Sequence, residues 1–411
     1  MTLTTLTQEQ FLNHISQVKE KSFLQSPEMA TLLTKRGYQV SFIGLEKEGQ
    51  ISVSALLYTL PMTGGLHMEI NGGPVTENLD HLGEFYQELQ TYAKKNGALE
   101  LIIKPSQTYQ YFDSEGNPTS PEQPKLIETL THLGYQHDGL KTGYPGGEPD
   151  WHYVKDLSQL TPEQLIPSFS KKGRPLIKKV KTFGIKIRPL ERHELHIFKD
   201  ITASTSDRRD YSDKSLDYYQ DFYDSFGANC EFMVASLNFQ DYLNNLQLEY
   251  QTLDDKINQV EQDLAVNPDS AKKKKERQQL VKQAETLITR QEEAQDFISK
   301  YGQDDVILAG SLFIYTPQES VYLFSGSYTE FNKFYAPAVL QEYVMLESLK
   351  RGIPFYNFLG ITGQFDHSDG VLRFKQNFNG YIVRKMGTFR YYPKPLKHKT
   401  IQLIKALLNR K

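Results

Sequence analysis

The feature that most restricts the fold of this chain is a pair of heptad seams near its centre. Leu243, Leu246, Tyr250, Leu253, Ile257, Val260 and Leu264 follow one another in alternating steps of three and four, the spacing that keeps one stripe of a helix against a partner helix. Asn267-Pro268-Asp269-Ser270 then interrupts the pattern, because proline lacks the N–H donor and clashes with the preceding turn. A second seam runs through Leu280, Ala284, Leu287, Gln291, Ala294 and Ile298. Two seams joined by one short turn predict an antiparallel coiled-coil hairpin over 241–300, each arm roughly 40 Å long at a rise of 1.5 Å per residue. Strand-like segments, Glu231–Leu237 and Val306–Tyr315, lie on either side. The ends of the hairpin must return to neighbouring points of one sheet, so the arm projects from its domain.

The 411 residues are enough for two domains besides this arm. Residues 1–150 read as one α/β unit. A helix ends near Arg36-Gly37; strands Gln39–Leu45 and Ile51–Leu60 flank the turn Glu48-Gly49-Gln50; Leu66–Asn71 is closed by Gly72-Gly73-Pro74. An amphipathic helix over Leu79–Asn96 precedes a buried strand, Leu99–Ile103. The turn-rich Gly143–Trp151 stretch marks a boundary. Residues 151–240 and 301–411 form the second unit. It begins with a strand at Tyr153–Leu157, a helix over Pro162–Thr182 interrupted at Gly173 and Pro175, strand Ile185–Leu190, helices over 191–205 and 213–226, and strand Glu231–Leu237. Beyond the arm come Val306–Tyr315, Val321–Ser325, helix Ala336–Arg351, strand Phe355–Leu359, short helix Gly370–Phe378 and a last strand, Tyr381–Arg390. Two mixed units of similar order suggest a duplicated α+β domain.

Charge is local, not global. The net charge is −3, yet Ser170–Arg188 carries Lys171, Lys172, Arg174, Lys178, Lys179, Lys181, Lys186 and Arg188 and no acid. Such a field suits phosphates, those of tRNA, of a nucleotide diphosphate or of anionic lipid head groups, although a solvated helix face is the ordinary alternative. The C-terminal segment sets Lys394, Lys397, Lys399, Lys405, Arg410 and Lys411 beside Leu396, Ile401, Ile404 and Leu408; a basic amphipathic helix of this kind lies on an anionic membrane surface, grips nucleic acid or packs on its own domain. Cys230 is the single cysteine, which excludes an internal disulfide or a cysteine-based zinc site. There is no apolar run of the roughly 20 residues a membrane span needs and no signal-peptide pattern at the N-terminus, so a cytoplasmic protein with at most peripheral membrane contact is expected. No Gly-x-x-x-x-Gly-Lys-Ser/Thr or Gly-x-Ser-x-Gly motif occurs, and His193-Glu194-Leu195-His196 has the wrong spacing for a zinc helix. Neither a metal nor a cofactor is expected, nor covalent catalysis.

The segment Tyr356-Asn357-Phe358-Leu359-Gly360-Ile361-Thr362-Gly363 reads as a buried strand opening into a loop, and Phe374-Lys375 falls on the short helix that follows. Taken in order, Phe23-Leu24-Gln25-Ser26-Pro27, Asn71-Gly72-Gly73-Pro74-Val75, the lysine-rich segment, the coiled-coil arm, and Tyr356–Gly363 with Phe374-Lys375 closely resemble the FemA/FemB/FemX and MurM/MurN family of peptidoglycan branch aminoacyltransferases, over nearly the whole chain. The Tyr144-Pro145-Gly146-Gly147-Glu148-Pro149-Asp150-Trp151 stretch looks most like the MurN type.

That resemblance implies two acetyltransferase-like (GNAT-like) domains with the arm inserted in the second. It implies transfer of an amino acid, alanine for the MurN type, from aminoacyl-tRNA to the branch begun on the stem-peptide lysine of lipid II. Phe374 and Lys375 match the pair to which FemX-like enzymes owe electrostatic stabilisation of the reacting carbonyl. For the precursor, the resemblance points to Lys35, with Arg36 competing, and to Lys214 and Tyr218, which hold the spacing of an Arg-x-x-x-Tyr pair with lysine in place of arginine. Lysine keeps the charge and loses the bidentate fork; Arg208 and Arg209 stand nearby to supply it. A homologous Fem/Mur protein is an implied partner. Two other function classes remain open from the sequence: an acyl-CoA-dependent N-acyltransferase, which would want the Arg/Gln-x-x-Gly-x-Gly/Ala loop absent here, and a non-catalytic tRNA-binding scaffold built on the arm.

Overall fold

The computed structural model describes residues 2–209 and 212–407. Two twisted sheets dominate. The first runs, in spatial order, Thr2–Leu6, Gln39–Lys47, Gln50–Met62, Gly65–Asn71, Ala98–Lys104, Phe389–Tyr391 and Gln136–His137. The second runs Thr108–Phe112, Tyr381–Lys385, Trp151–Asp156, Phe355–Ile361, Glu319–Ser327, Asp305–Tyr315, Cys230–Asn238 and Lys186–Pro189. Each sheet contains a three-strand antiparallel meander, then a helix, then a strand returning parallel to the last of the three. Helix Leu82–Lys95 makes that crossover in the first sheet and helix Ala336–Lys350 in the second. A parallel neighbour cannot be reached by a tight turn, so a helix is the expected connection.

Local sequence explains the pieces. The hairpin turn at Glu48-Gly49 has positive φ at both residues, 52° and 80°, as a two-residue turn matched to strand twist requires. In helix Leu82–Lys95 the buried Leu82, Phe85, Tyr86, Leu89 and Ala93 recur at helical spacing and cover Ile43, Leu45, Val53, Ala55 and Leu57 of the sheet. Each such side chain contributes about 1.5–3 kcal/mol by leaving water. A second core joins the two halves: Phe11, Phe23 and Leu32 from the first pack with Phe198, Tyr219, Phe222 and Phe226 from the second.

The arm consists of helices Phe239–Val266 and Ala271–Tyr301. Their cross-links settle the direction: Arg290 donates to the Tyr242 hydroxyl at 2.9 Å near the base, and Arg277 meets Glu261 at 2.7 Å near the tip, so the helices run antiparallel. Leu246, Leu253 and Val260 face Ala284, Leu287 and Ala294 along the buried seam. Asn238 and Asp305, where the arm leaves and re-enters, are opposite each other in one antiparallel pair.

Three segments differ from expectation. The single strand expected over Tyr381–Arg390 is two strands in two sheets, with Gly387 at φ +78° making the switch. Thr108–Phe112, which follows Ala98–Lys104 of the first sheet in sequence, pairs with Tyr381–Lys385 at the edge of the second; the chain passes between the sheets four times. The helix expected over Pro162–Thr182 breaks at 166–172, not at Gly173 or Pro175: these start the helix Gly173–Lys181, where proline's missing N–H costs nothing.

Candidate active site

A cleft of about 2390 Å³ opens between the sheets. It enters the second sheet where the parallel strands Glu319–Ser327 and Phe355–Ile361 separate: they pair only through Glu319↔Phe355, Ser320↔Tyr356 and Val321↔Asn357. Beyond that point Phe324 and Gly326 line one side of the gap and Leu359 and Gly360 the other.

Lys375 stands at this gap. Asp369 caps its helix, Gly370–Gln376, with one carboxylate oxygen accepting from the N–H groups of Val371 and Leu372 at 2.8 and 3.1 Å. The other oxygen accepts from the N–H and hydroxyl of Thr362 at 3.0 and 2.9 Å, which ties the helix to the strand end. Lys375 is 3 % exposed, and its ammonium donates to the carbonyls of Gly360 at 2.6 Å and Leu359 at 3.1 Å. Those carbonyls belong to a strand irregularity between Asn357 and Gly360. There Leu359 takes φ +55°, a conformation that costs a non-glycine residue free energy, and its N–H donates to the Asn357 side chain at 2.8 Å. A buried cation is therefore fixed to the bent backbone at the cleft wall. Phe374 also lines the cleft and packs edge-on against Phe378.

Nearby, Asn357 donates to Glu319 at 2.9 Å, and burial pushes the Glu319 carboxyl up toward its neutral form. Burial, with the charges of Lys385 and Lys375, holds His152 neutral, its pKa lowered to about 3.

A second group of cations meets on the helical wall. Arg36 lies 4.9 Å from the centre of the Tyr218 ring and Lys214 lies 5.4 Å from it, an arrangement favoured by the ring quadrupole. Asp213 is anchored by Lys199 at 2.5 Å and by the Tyr219 hydroxyl at 2.8 Å, which fixes the position of Lys214 beside it. Arg208 lines the same cleft and donates to the Ser327 carbonyl and the Thr329 hydroxyl. Lys35 does not line it; it pairs with Asp224 at 3.6 Å, beside Arg192. The Arg209 side chain lies outside the described residues.

The first-sheet wall carries a polar network that sequence reasoning missed. Lys104 bridges Glu69 and Glu148, each at 3.0 Å, and His67 bridges Glu69 and Glu100 at 3.1 and 3.2 Å. Hydrogen bonds to Glu100 and Glu69 raise the His67 pKa to about 9. Burial works against the Glu69 carboxylate, yet His67 and Lys104 hold its pKa at about 2. The available signal was His67 and Glu69 at strand period two within an otherwise apolar segment, and Glu148 in a stretch read only as a boundary. Two of the quoted motifs also form one unit: the buried Gln25 amide donates to the Asn71 carbonyl at 2.8 Å and accepts from the Leu56 N–H at 2.7 Å, and Gly73 passes where any Cβ would meet that amide. The Asn71 side chain, so placed, donates to Glu148 at 3.2 Å.

The basic helix Gly173–Lys181 is outside the cleft and directly behind the segment that carries Lys375. The Ser170 N–H donates to the Asn377 carbonyl at 3.1 Å, and Gly173 abuts the same carbonyl without room for a Cβ. Lys171, Lys172, Arg174, Lys178 and Lys179 are exposed; the Arg174 guanidinium donates to the Phe169 carbonyl and Lys179 lies by the Phe183 ring. Lys181, Lys186 and Arg188 are committed to Glu342, Asp305 and Glu194. Among the described residues no group of three His, Cys, Asp or Glu side chains is arranged to hold a metal ion.

Known proteins share this fold. The model described as the FemAB family matches residues 6–406. The aminoacyltransferase FemA of Staphylococcus aureus, strains MRSA252 and NCTC 8325 among others, is 29% identical over 398 residues, 95% of this chain and 94% of FemA. The crystal structure of FemX superposes with a TM-score of 0.72 at 19% identity, covering 96% of this chain and 98% of FemX. A tandem GNAT protein from the clavulanic acid biosynthesis pathway gives 0.50 at 9% identity, covering 96% and 98%. Both superpositions bear out two GNAT-like units. The chain belongs to the FemAB family and is an aminoacyltransferase of the FemA and FemX kind, the enzymes of peptidoglycan cross-bridge synthesis.

Proposed function

We propose that this enzyme takes an aminoacyl group, L-alanine, from aminoacyl-tRNA and joins it to the amine of a branch already begun on the stem-peptide lysine of lipid II, the second-residue step of the MurN type. The observation that carries this reading is one cleft that joins two cationic stations, Arg36 with Lys214 and Arg208 on one wall and Lys375 on the other.

The division of labour follows from the chemistry. The acceptor amine, as the free base, attacks the ester carbonyl at the 3′ end of the tRNA; the C–N bond forms, the C–O bond to ribose breaks, and the amine proton ends on the departing hydroxyl or on water. Little covalent work falls to the protein. It has to align two substrates and stabilise a transient oxyanion. Lys375 supplies a fixed positive charge in a water-poor corner, where such a charge is worth most. Phe374 offers a ring against which the terminal base or the aminoacyl group packs. Arg36, Lys214 and Arg208 hold the diphosphate of the precursor, with Tyr218 as the platform between two of them. Lys171, Lys172, Arg174, Lys178 and Lys179 present phosphate contacts to the tRNA acceptor stem just behind Phe374-Lys375, and the exposed Lys272, Lys274 and Lys275 at the arm tip extend that surface.

The enzyme acts in the cytoplasm at the inner membrane surface, where a lipid-linked acceptor resides, alongside a homologous Fem/Mur protein that adds the first residue. A transfer assay with alanyl-tRNA tests the reading: alanine is incorporated into branched lipid II and not into the unbranched form. Incorporation into the unbranched form alone overturns the second-residue assignment.

A further inference from the structure

No helix among the described residues is long and apolar enough to cross a membrane, yet one helix turns its greasy side outward. The helix Pro395–Leu407 follows the last strand of the first sheet. It lies against the hairpin turn between Gln50–Met62 and Gly65–Asn71 through Ile401, whose side chain fills the space over Gly64. The ring of His398, on the same helix face, stacks on Tyr392 at 4.0 Å. At 3.6 residues per turn, Leu396, Leu403 and Leu407 form a row on the opposite face, with Ile404 at its edge. They are 81%, 66%, 84% and 50% exposed. The stripe Leu396, Ile401, Ile404, Leu408 read from the sequence is thus divided: Ile401 packs on the protein, Leu396 and Ile404 do not, and Leu408 lies outside the described residues.

Charge identifies the occupant. Residues 392–411 contain five lysines, one arginine and no acidic residue, and Lys397 and Lys399 are exposed on the flanks of the apolar row. An apolar ridge bordered by cations suits a surface that is anionic in its outer layer and hydrocarbon beneath, which is the geometry of an interfacial helix. The hairpin that carries this helix also sends Leu60 and His67 into the cleft, so an acceptor held by its lipid in the same surface stands near the cleft mouth.

We infer that the outward face of helix 395–407 docks the enzyme on an anionic lipid surface; this rests on the reading that the acceptor is lipid-linked. The test uses the full chain and sedimentation with vesicles of phosphatidylcholine, with and without phosphatidylglycerol. The wild type binds the anionic vesicles, and the combined Leu403→Ser, Leu407→Ser variant binds them at least about tenfold more weakly at an unchanged melting temperature, since each buried leucine favours the interface. Lys397→Gln with Lys399→Gln lowers binding and flattens its salt dependence. On a water-soluble branched stem peptide the leucine variant keeps its full transfer rate, and on vesicle-embedded lipid II it loses rate in proportion to binding. Equal vesicle binding by wild type and leucine variant overturns the inference, as does absence of wild-type binding. A wild-type dimer that the leucine changes dissociate, without vesicle binding, assigns the face to a second copy instead. If the functional reading itself fails, the wild type transfers to neither acceptor while its vesicle binding is unaffected.

Discussion

The cations of this molecule fall into two populations with opposite geometry. Those of the Ser170–Arg188 segment are contiguous in the chain and disperse in space: Lys181, Lys186 and Arg188 turn to acidic partners, while Lys171, Lys172 and Lys178 face solvent. Arg36, Arg208, Lys214 and Lys375 are scattered over most of the sequence and converge on one cleft. The first population makes a diffuse field and the second makes individual contacts. Exposed charges act through screened, salt-sensitive attraction; a cation buried against carbonyls acts at a fixed position and is screened far less.

The largest expected effect separates the two at once. Lys375→Ala lowers single-turnover transfer by about 10²–10³-fold, the scale of losing one oxyanion-stabilising group, with the KM for acceptor changed little. It also leaves the Leu359 and Gly360 carbonyls without their donor, which costs about 1–3 kcal/mol of stability in a denaturant titration. A variant with raised KM and intact turnover would move Lys375 to a binding role.

Next in size are the cleft cations on the helical wall. Arg36→Ala and Lys214→Ala each raise the acceptor KM by about tenfold or more, the worth of one charge-assisted hydrogen bond. Lys35→Ala, at a pair with Asp224 that is about one-third exposed, changes it less than about twofold. The sequence resemblance pointed to Lys35 first, and helix geometry separates the neighbours: adjacent helical positions point about 100° apart, so only Arg36 faces Tyr218.

A smaller effect is expected from the exposed field. Changing Lys171, Lys172 and Lys178 to Glu weakens tRNA binding and lowers the slope of log K against log salt by about 2, near 0.7 for each phosphate no longer neutralised. Lys181 does not belong in that set. Its partner Glu342 is 4% exposed, so Lys181→Glu destabilises the fold by about 2 kcal/mol or more, and weakened binding there reports misfolding.

The smallest effect concerns the first-sheet wall. The His67 pKa is about 9 in the fold against an ordinary value of 6.5. A raised pKa gives stability that is fully present below pH 6.5 and is lost as pH rises through about 9. Melting temperature should fall over that window, and His67→Asn should flatten the profile. A profile unchanged by the substitution would assign the slope to another group.

Legibility in the sequence follows the same division. The arm was readable to within a few residues because a heptad seam is a local, periodic signal, and its strand neighbours bound it. The meanders and crossover helices were readable for the same reason. The strand Thr108–Phe112 and the switch at Gly387 were not, since which sheet a strand joins depends on partners hundreds of residues away. The charge run was the loudest signal, whereas the Glu69–Lys104–Glu148 network is composed of single residues on three separate segments and becomes visible only when the chain folds. Phe374-Lys375 stood out through family resemblance alone: nothing in its spacing foretells that Leu359 and Gly360 will hold the ammonium.

One experiment decides whether Lys375 serves aminoacyl transfer from tRNA. Charged tRNAs for alanine, glycine and serine are presented to the wild type and to Lys375→Ala, with lipid II that carries or lacks a first branch residue. The wild type is expected to transfer alanine from alanyl-tRNA to the branched acceptor, and the variant to lose nearly all transfer while tRNA and acceptor still bind. Undiminished transfer by Lys375→Ala, or wild-type transfer from an acyl-CoA with none from any tRNA, would contradict this role of Lys375.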